Sequence, residues 1–226
     1  MSRIRALLAT MACLLAPALV RAQSTHLLVI TGASGGPEYA QRFNEWASKL
    51  VDAAAKSIAP ANIIYLSEAP ELGGKITGKS TRENVEKALK DFATSTQAGD
   101  EILIVLIGHG SAEGAAPARF NLPGPDLTVA DYDRLLKGLE GRKIAFVNAA
   151  SASGAFITPL SVPGRVLVTS TRSGFETNET VFARFFARPL GLCEIGRAQR
   201  LLDDGAHLRL IEGLGDVVEG ARLQRF

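Results

Sequence analysis

The run EILIVLI, residues 101–107, has no polar position after its first residue. A strand with one wet face alternates polar and apolar residues, so an unbroken apolar run of this length is a strand covered on both faces. Four more short runs have the same character: HLLVIT (26–31), NIIYL (62–66), KIAFV (143–147) and RVLVTS (165–170). Between them lie stretches with helical spacing. Pro37 opens one that continues to about Ala59, with Phe43, Trp46, Ala47 and Leu50 on one face. Residues 70–80 are glycine-rich and read as a loop. Ser80-Thr81-Arg82-Glu83 has the form of a capping box, and Val85, Leu89 and Phe92 continue the helix behind it. Leu127–Leu139 and Asn178–Leu190 are two further predicted helices. Buried parallel strands alternating with amphipathic helices predict an α/β fold, a doubly wound parallel sheet with helices on both faces. In such folds the site lies beyond the carboxyl ends of the strands.

The ends of the chain read differently. Arg3 and Arg5 precede a nearly continuous apolar stretch from Ala6 to Val20, and Val20-Arg21-Ala22 suits a signal peptidase. That stretch is shorter than the roughly 20 residues a membrane span needs. Residues 1–22 are therefore expected to be a signal peptide, which makes the mature protein secreted or periplasmic with no membrane span. Losing the three arginines of this segment leaves 22 basic against 23 acidic side chains, a net charge of −1, which argues against a nucleic-acid partner. Cys13 leaves as well, so Cys193 stands alone and reads as a small buried apolar residue. Residues 23–190 form the expected α/β domain. Residues 191–226 read as a helical tail, with Leu210, Ile211, Leu214, Val217 and Val218 on one face.

Thr31-Gly32-Ala33-Ser34-Gly35-Gly36 after the first strand invites a dinucleotide reading. The phrase fails in detail. Glu38 stands where the last glycine of the turn belongs, Pro37 removes a backbone donor, and no tyrosine has a lysine four places on. Glu68, near the end of the second strand, is the one residue that would suit a ribose. No cofactor is expected. His26, His109 and His207 are too dispersed to make a metal site, so none is expected either.

The chemistry points elsewhere. The third strand delivers Gly108-His109-Gly110-Ser111 and the fourth delivers Asn148-Ala149-Ala150-Ser151-Ala152-Ser153-Gly154. Neighbouring parallel strands are about 4.8 Å apart, so residues past their ends can meet. A histidine open beside glycine, a hydroxyl on the next loop and the Gly110 N–H facing an oxyanion would form a base, a nucleophile and a stabilising donor.

LIVLIGHGS and KIAFVNAASASG, with Gly32-Ala33-Ser34-Gly35 and Tyr39 upstream, resemble the legumain and caspase clan of cysteine peptidases, the legumain family more closely. The resemblance extends over about Leu27–Phe186. It implies a caspase-like three-layer α/β/α sandwich without cofactor, with His109 as general base, Ser151 at the nucleophile position, and Gly110 N–H and Ser151 N–H lining an oxyanion hole. It also implies a peptide or protein substrate held partly by the segment after the fifth strand, where Ser170, Arg172 and Ser173 stand and Arg172 would take an acidic side chain. This chain departs from the clan at Ser151, which replaces the cysteine, at Ala152, which replaces an acid, and at Ala40 and Gln41, which replace an Arg-His pair.

Two functions follow. One is an exported hydrolase of peptide bonds with a His109–Ser151 dyad; the other is an inactive pseudopeptidase that binds peptide or protein in the same cleft. A carboxylate behind His109 separates them, and Asp131, Asp133 and Glu113 are the candidates. An esterase is a third reading, without the GxSxG phrase. Ser111 and Ser153 are expected to bond local backbone, Glu176 and Glu179 to serve a helix N-terminus, and His26 to lie at the surface.

Overall fold

A computed structural model describes residues 23–186 apart from 115, 179 and 181. The proposed signal peptide and tail, with Cys13, Cys193 and His207, lie outside the described residues, as do Glu179 and residues 187–190 of the last predicted helix.

Six parallel strands form the central sheet: β1 (Thr25–Thr31), β2 (Ile63–Ser67), β3 (Gly78–Lys79), β4 (Glu101–Ile107), β8 (Lys143–Asn148) and β9 (Arg165–Thr169). Their order is β3-β2-β1-β4-β8-β9. Three two-residue strands, β5 (Gly110–Ser111), β6 (Arg119–Phe120) and β7 (Leu127–Thr128), make a separate antiparallel sheet. The helices are α1 (Pro37–Ala54), α2 (Arg82–Ser95), α3 (Val129–Lys137), α4 (Ile157–Leu160) and α5 (Phe182–Phe186).

The sheet is covered on both faces, making a three-layer α/β/α sandwich. Odd-numbered residues of β1 and β4, among them Leu27, Val29, Val105 and Ile107, pack under Phe43, Trp46 and Leu50 of α1 and Phe186 of α5. Even-numbered ones, among them Leu28, Ile30, Ile104 and Leu106, pack under Leu89 and Phe92 of α2 and Tyr132 and Leu136 of α3. This period of two explains why the strands read as unbroken apolar runs. Burying such side chains stabilises the fold by roughly 1.5–3 kcal/mol each.

Several local details differ from expectation. Helix α1 ends at Ala54 rather than near residue 59, because the chain tightens there, with the Lys56 N–H donating to the Ala53 carbonyl and the Ser57 N–H to the Ala54 carbonyl. The loop of residues 70–80 contains a 3-10 turn, Pro70–Leu72, and strand β3. Helix α2 is capped by the Thr81 hydroxyl, which accepts from the Asn84 N–H, so the Ser80–Glu83 box does not form. His26 is buried rather than superficial, its ring edge-on to Phe92 and its Nε2 3.0 Å from the Ser24 hydroxyl.

The chain leaves β1 toward β2 on one side and returns to β4 on the other, so the order of strand addition, and not the strand direction, switches between β1 and β4. In open parallel sheets such a switch point, above the carboxyl ends of the strands, is where ligands bind.

Candidate functional site

Three loops meet at this end of the sheet. The turn after β1 is pinned by Gly32 N–H to the Ile107 carbonyl (2.9 Å) and by Ala33 N–H to the Asn121 carbonyl (2.9 Å). A Cβ on Gly32 would overlap that Asn121 carbonyl, so glycine is required there. The Ser34 N–H donates to both oxygens of Glu68, at 3.1 and 3.0 Å. An internal carboxylate thus already uses a donor that a phosphate would need, which is a physical reason for the failed dinucleotide phrase.

His109 follows β4 and is half-buried. Its ring stands edge-on to Tyr39 and Phe43, each with centroids 5.4 Å away. The Arg42 guanidinium lies 5.1 Å over the Tyr39 ring. Among the described residues no hydrogen bond or ion pair reaches the His109 ring. The expected acids are used elsewhere or exposed. Asp131 accepts from Arg82 Nη2 (2.6 Å) and caps α3 through Thr128, Asp133 pairs with Lys137 (2.8 Å), and Glu113 is exposed.

Ser151 is almost fully buried, at 2% exposure. Its Oγ accepts from the Gly110 N–H (3.1 Å) and donates to the Gly110 carbonyl (3.1 Å). Gly110 can approach so closely because it lacks a Cβ, which would overlap the Ser151 carbonyl oxygen. Ser151 and Gly110 therefore come together as the motif spacing suggested. They meet, however, as hydrogen-bond partners of each other. Among the described residues no bond joins Ser151 to His109, and a general base must reach its proton at roughly 2.6–3.2 Å, or through one water. Ala152 follows at φ 54°, the sole non-glycine residue at positive φ among those described. Its N–H donates to the Glu176 carbonyl (2.8 Å).

The loop after β9 is stitched to the loop after β8. Ser153, fully buried, accepts from the N–H groups of Ser170 and Thr171, both at 3.1 Å. The Ser170 hydroxyl donates to the Ala150 carbonyl (2.7 Å). Thr171 Oγ1 accepts from the Gly154 N–H (2.9 Å). The Ser173 hydroxyl donates to Glu176 Oε1 (3.3 Å) and accepts from the Phe175 N–H (3.3 Å). Ser170 and Ser173 are thus engaged within the protein. Arg172 is exposed, and among the described residues its guanidinium has no partner.

Sequence reasoning missed the residues that build this frame. Ser153 bonds distant backbone rather than local backbone. The Glu176 carboxylate closes its own turn, accepting from the Arg172 and Ser173 N–H groups, both at 2.9 Å, and does not serve a helix. Ser111 bonds side chains, donating to Asn121 Oδ1 (3.0 Å) and accepting from Arg119 Nε (2.8 Å). The signal for Ser153 and Glu176 was the density of serine, threonine and glycine in both loops, which marks tight turns without naming partners. No group of three His, Cys, Asp or Glu side chains is placed to hold a metal among the described residues. Among them, too, no helix is long and apolar enough to cross a membrane.

No protein-family description matches this chain, and no curated protein does. A solved structure does resemble it: protein GSU0716 from Geobacter sulfurreducens, 11% identical, with 90% of this chain and 92% of that one covered and a TM-score of 0.51. At that identity the likeness establishes the α/β/α architecture, and architecture alone does not carry chemistry.

Proposed function

We propose that this chain is an exported peptide-binding protein with a legumain- or caspase-like cleft, in which Ser151 does not act as a nucleophile. The observation that carries the reading is the double hydrogen bond between the Ser151 hydroxyl and the Gly110 backbone. It occupies the N–H that would stabilise an acyl oxyanion, and it directs the hydroxyl proton at a carbonyl instead of at His109. Activating a serine ordinarily takes a base oriented by an acid, and among the described residues no carboxylate bonds to the His109 ring, which stands edge-on to Tyr39 and Phe43. The half-buried His109 ring and the loops after β1, β4 and β8 at the same end of the sheet support a binding site there. Export rests on Arg3, Arg5 and the apolar stretch behind them.

The test is hydrolysis and retention of a mixed peptide library by the native protein, Ser151→Ala and Ser151→Cys. Native protein and the alanine variant are expected to retain the same subset of peptides and cleave none. Cleavage by the native protein that disappears in Ser151→Ala would establish the hydrolase instead. Retention by neither protein would end the peptide-binding reading.

A further inference from the structure

The fold begins almost at the expected cleavage point. Val20-Arg21-Ala22 places that cut between Ala22 and Gln23, and β1 starts at Thr25. Ser24 is already anchored. Its N–H donates to Asp100 Oδ1 (2.9 Å), its carbonyl accepts from the Glu101 N–H (2.9 Å), and its hydroxyl lies 3.0 Å from His26 Nε2. Asp100 is fully buried, and its Oδ2 accepts from the Gln97 N–H (2.9 Å). Gln23 differs: it is exposed and lies in neither strand nor helix. A single residue therefore stands between the mature amino terminus and the first anchored position, and that residue is a glutamine.

Glutamine at a free amino terminus has a reaction of its own, because its α-amine can reach its own side-chain amide. An α-amine has a pKa of about 7.7–8.0, so at neutral pH part of it is uncharged and nucleophilic. An exposed Gln23 can turn its side chain back onto its amine without moving Ser24.

We infer that Gln23 is a modification site: once the leader is removed it closes to pyroglutamate and seals the chain one residue ahead of the fold. The inference rests on the export reading, which supplies the free Gln23 amine. The α-nitrogen bonds to Cδ, the Cδ–Nε2 bond breaks, and ammonia leaves with the proton that the α-nitrogen gives up. The step consumes no oxidant, reductant or co-reactant. The lactam is neutral, so the terminus loses its positive charge and presents no amine to an aminopeptidase. An open end can be trimmed through Ser24, which would strand the Glu101 N–H and take a donor from the buried Asp100 carboxylate.

The test is export of the full chain, leader included, from a secreting host. Intact mass and tandem mass spectrometry of the amino-terminal peptide are then measured on fresh protein and on protein stored at neutral pH. Native protein is expected to begin at Gln23 and to weigh one ammonia less than the open chain, with any open fraction closing on storage. Gln23→Ala is expected to begin at the same position with its full mass. A broad-specificity aminopeptidase is expected to shorten Gln23→Ala and to leave the closed native protein intact. Native protein that begins at Gln23 and keeps its full mass through storage would overturn the lactam and leave export standing. A chain that keeps its leader or begins elsewhere would overturn the cleavage and the inference together. An aminopeptidase that spares Gln23→Ala as well would show that the fold alone protects this end and would overturn the sealing role.

Discussion

Replacing Ser153 with alanine should destabilise the protein at least as much as replacing Ser151, the residue we propose to stand at a nucleophile position. Ser153 Oγ accepts from the Ser170 and Thr171 N–H groups and lies 3.2 Å from Ser170 Oγ and 3.1 Å from Thr171 Oγ1. A hydroxyl has two lone pairs and one proton. The lone pairs serve the two amides, and the proton goes to one of the two neighbouring hydroxyls. Alanine strands the Thr171 N–H at a fully buried position, whereas the Ser170 N–H keeps the Asn148 carbonyl, 3.1 Å away. A buried donor left unsatisfied costs about 1–3 kcal/mol, so Ser153→Ala should cost about 2 kcal/mol. For a domain of this size that corresponds to a fall in melting temperature of roughly 4–8 °C. Ser151→Ala strands a single donor, the Gly110 N–H, and should cost about 1–2 kcal/mol. Urea unfolding of the three proteins, with unchanged slope, measures both losses. A Ser153→Ala loss under about 1 kcal/mol would refute the accounting.

Three further outcomes are expected. Gly110→Ala should lose about 3 kcal/mol in urea unfolding, since its Cβ would strike the Ser151 carbonyl and sit 3.1 Å from that of Arg119; a native-like midpoint would show that the two loops separate readily. Tyr132→Phe should gain about 1 kcal/mol in thermal unfolding, because the Tyr132 hydroxyl is buried with no partner among the described residues while its ring keeps its packing on Phe146 and Phe156; a loss would show that the hydroxyl is bonded. Burial raises the affinity of Asp131 for a proton, but Arg82, Thr128 and Arg134 outweigh it and hold the carboxyl well below the usual range. Folding therefore favours the ionised form, so this stability is complete above about pH 4 and is lost as the pH falls toward the lower folded value. Asp131→Asn should flatten the acid limb of stability measured between about pH 5 and pH 2, and an unchanged limb would contradict that role.

Much of the fold was legible because its signals are local. EILIVLI needs no partner to declare itself a doubly covered strand, and residues 101–107 form β4. The face of Phe43, Trp46, Ala47 and Leu50 is buried as their spacing requires. The antiparallel sheet of β5, β6 and β7 was not legible. Two residues per strand carry no period, and Gly110 pairs with Phe120 only because the chain doubles back across residues 112–118, an alanine-rich loop with a single glycine and a single proline. The α2 cap was misplaced by one residue because Ser80 and Thr81 are both good caps. The choice fell to tertiary placement, which buries Ser80 and leaves Thr81 at the helix mouth.

The site divides along the same line. That His109 and Ser151 arrive at one end of the sheet follows from two strands and their order. What Ser151 does there depends on Gly110, 41 residues away, and on how closely two backbones approach. Residue identity then decides the outcome. A hydroxyl both donates and accepts strongly, so serine can close both of its bonds onto the Gly110 backbone. A thiol is a weak donor and a weak acceptor, and it is acidic enough to ionise beside an imidazolium. With cysteine at 151 the same frame would hold the Gly110 N–H less firmly and leave it for an acyl oxygen. On the reading we propose, serine in place of cysteine at 151 would weaken a nucleophile and fill an oxyanion donor in one step, and this is why Ser151→Cys, rather than any change at His109, is the substitution that tests whether this end of the sheet can support hydrolysis.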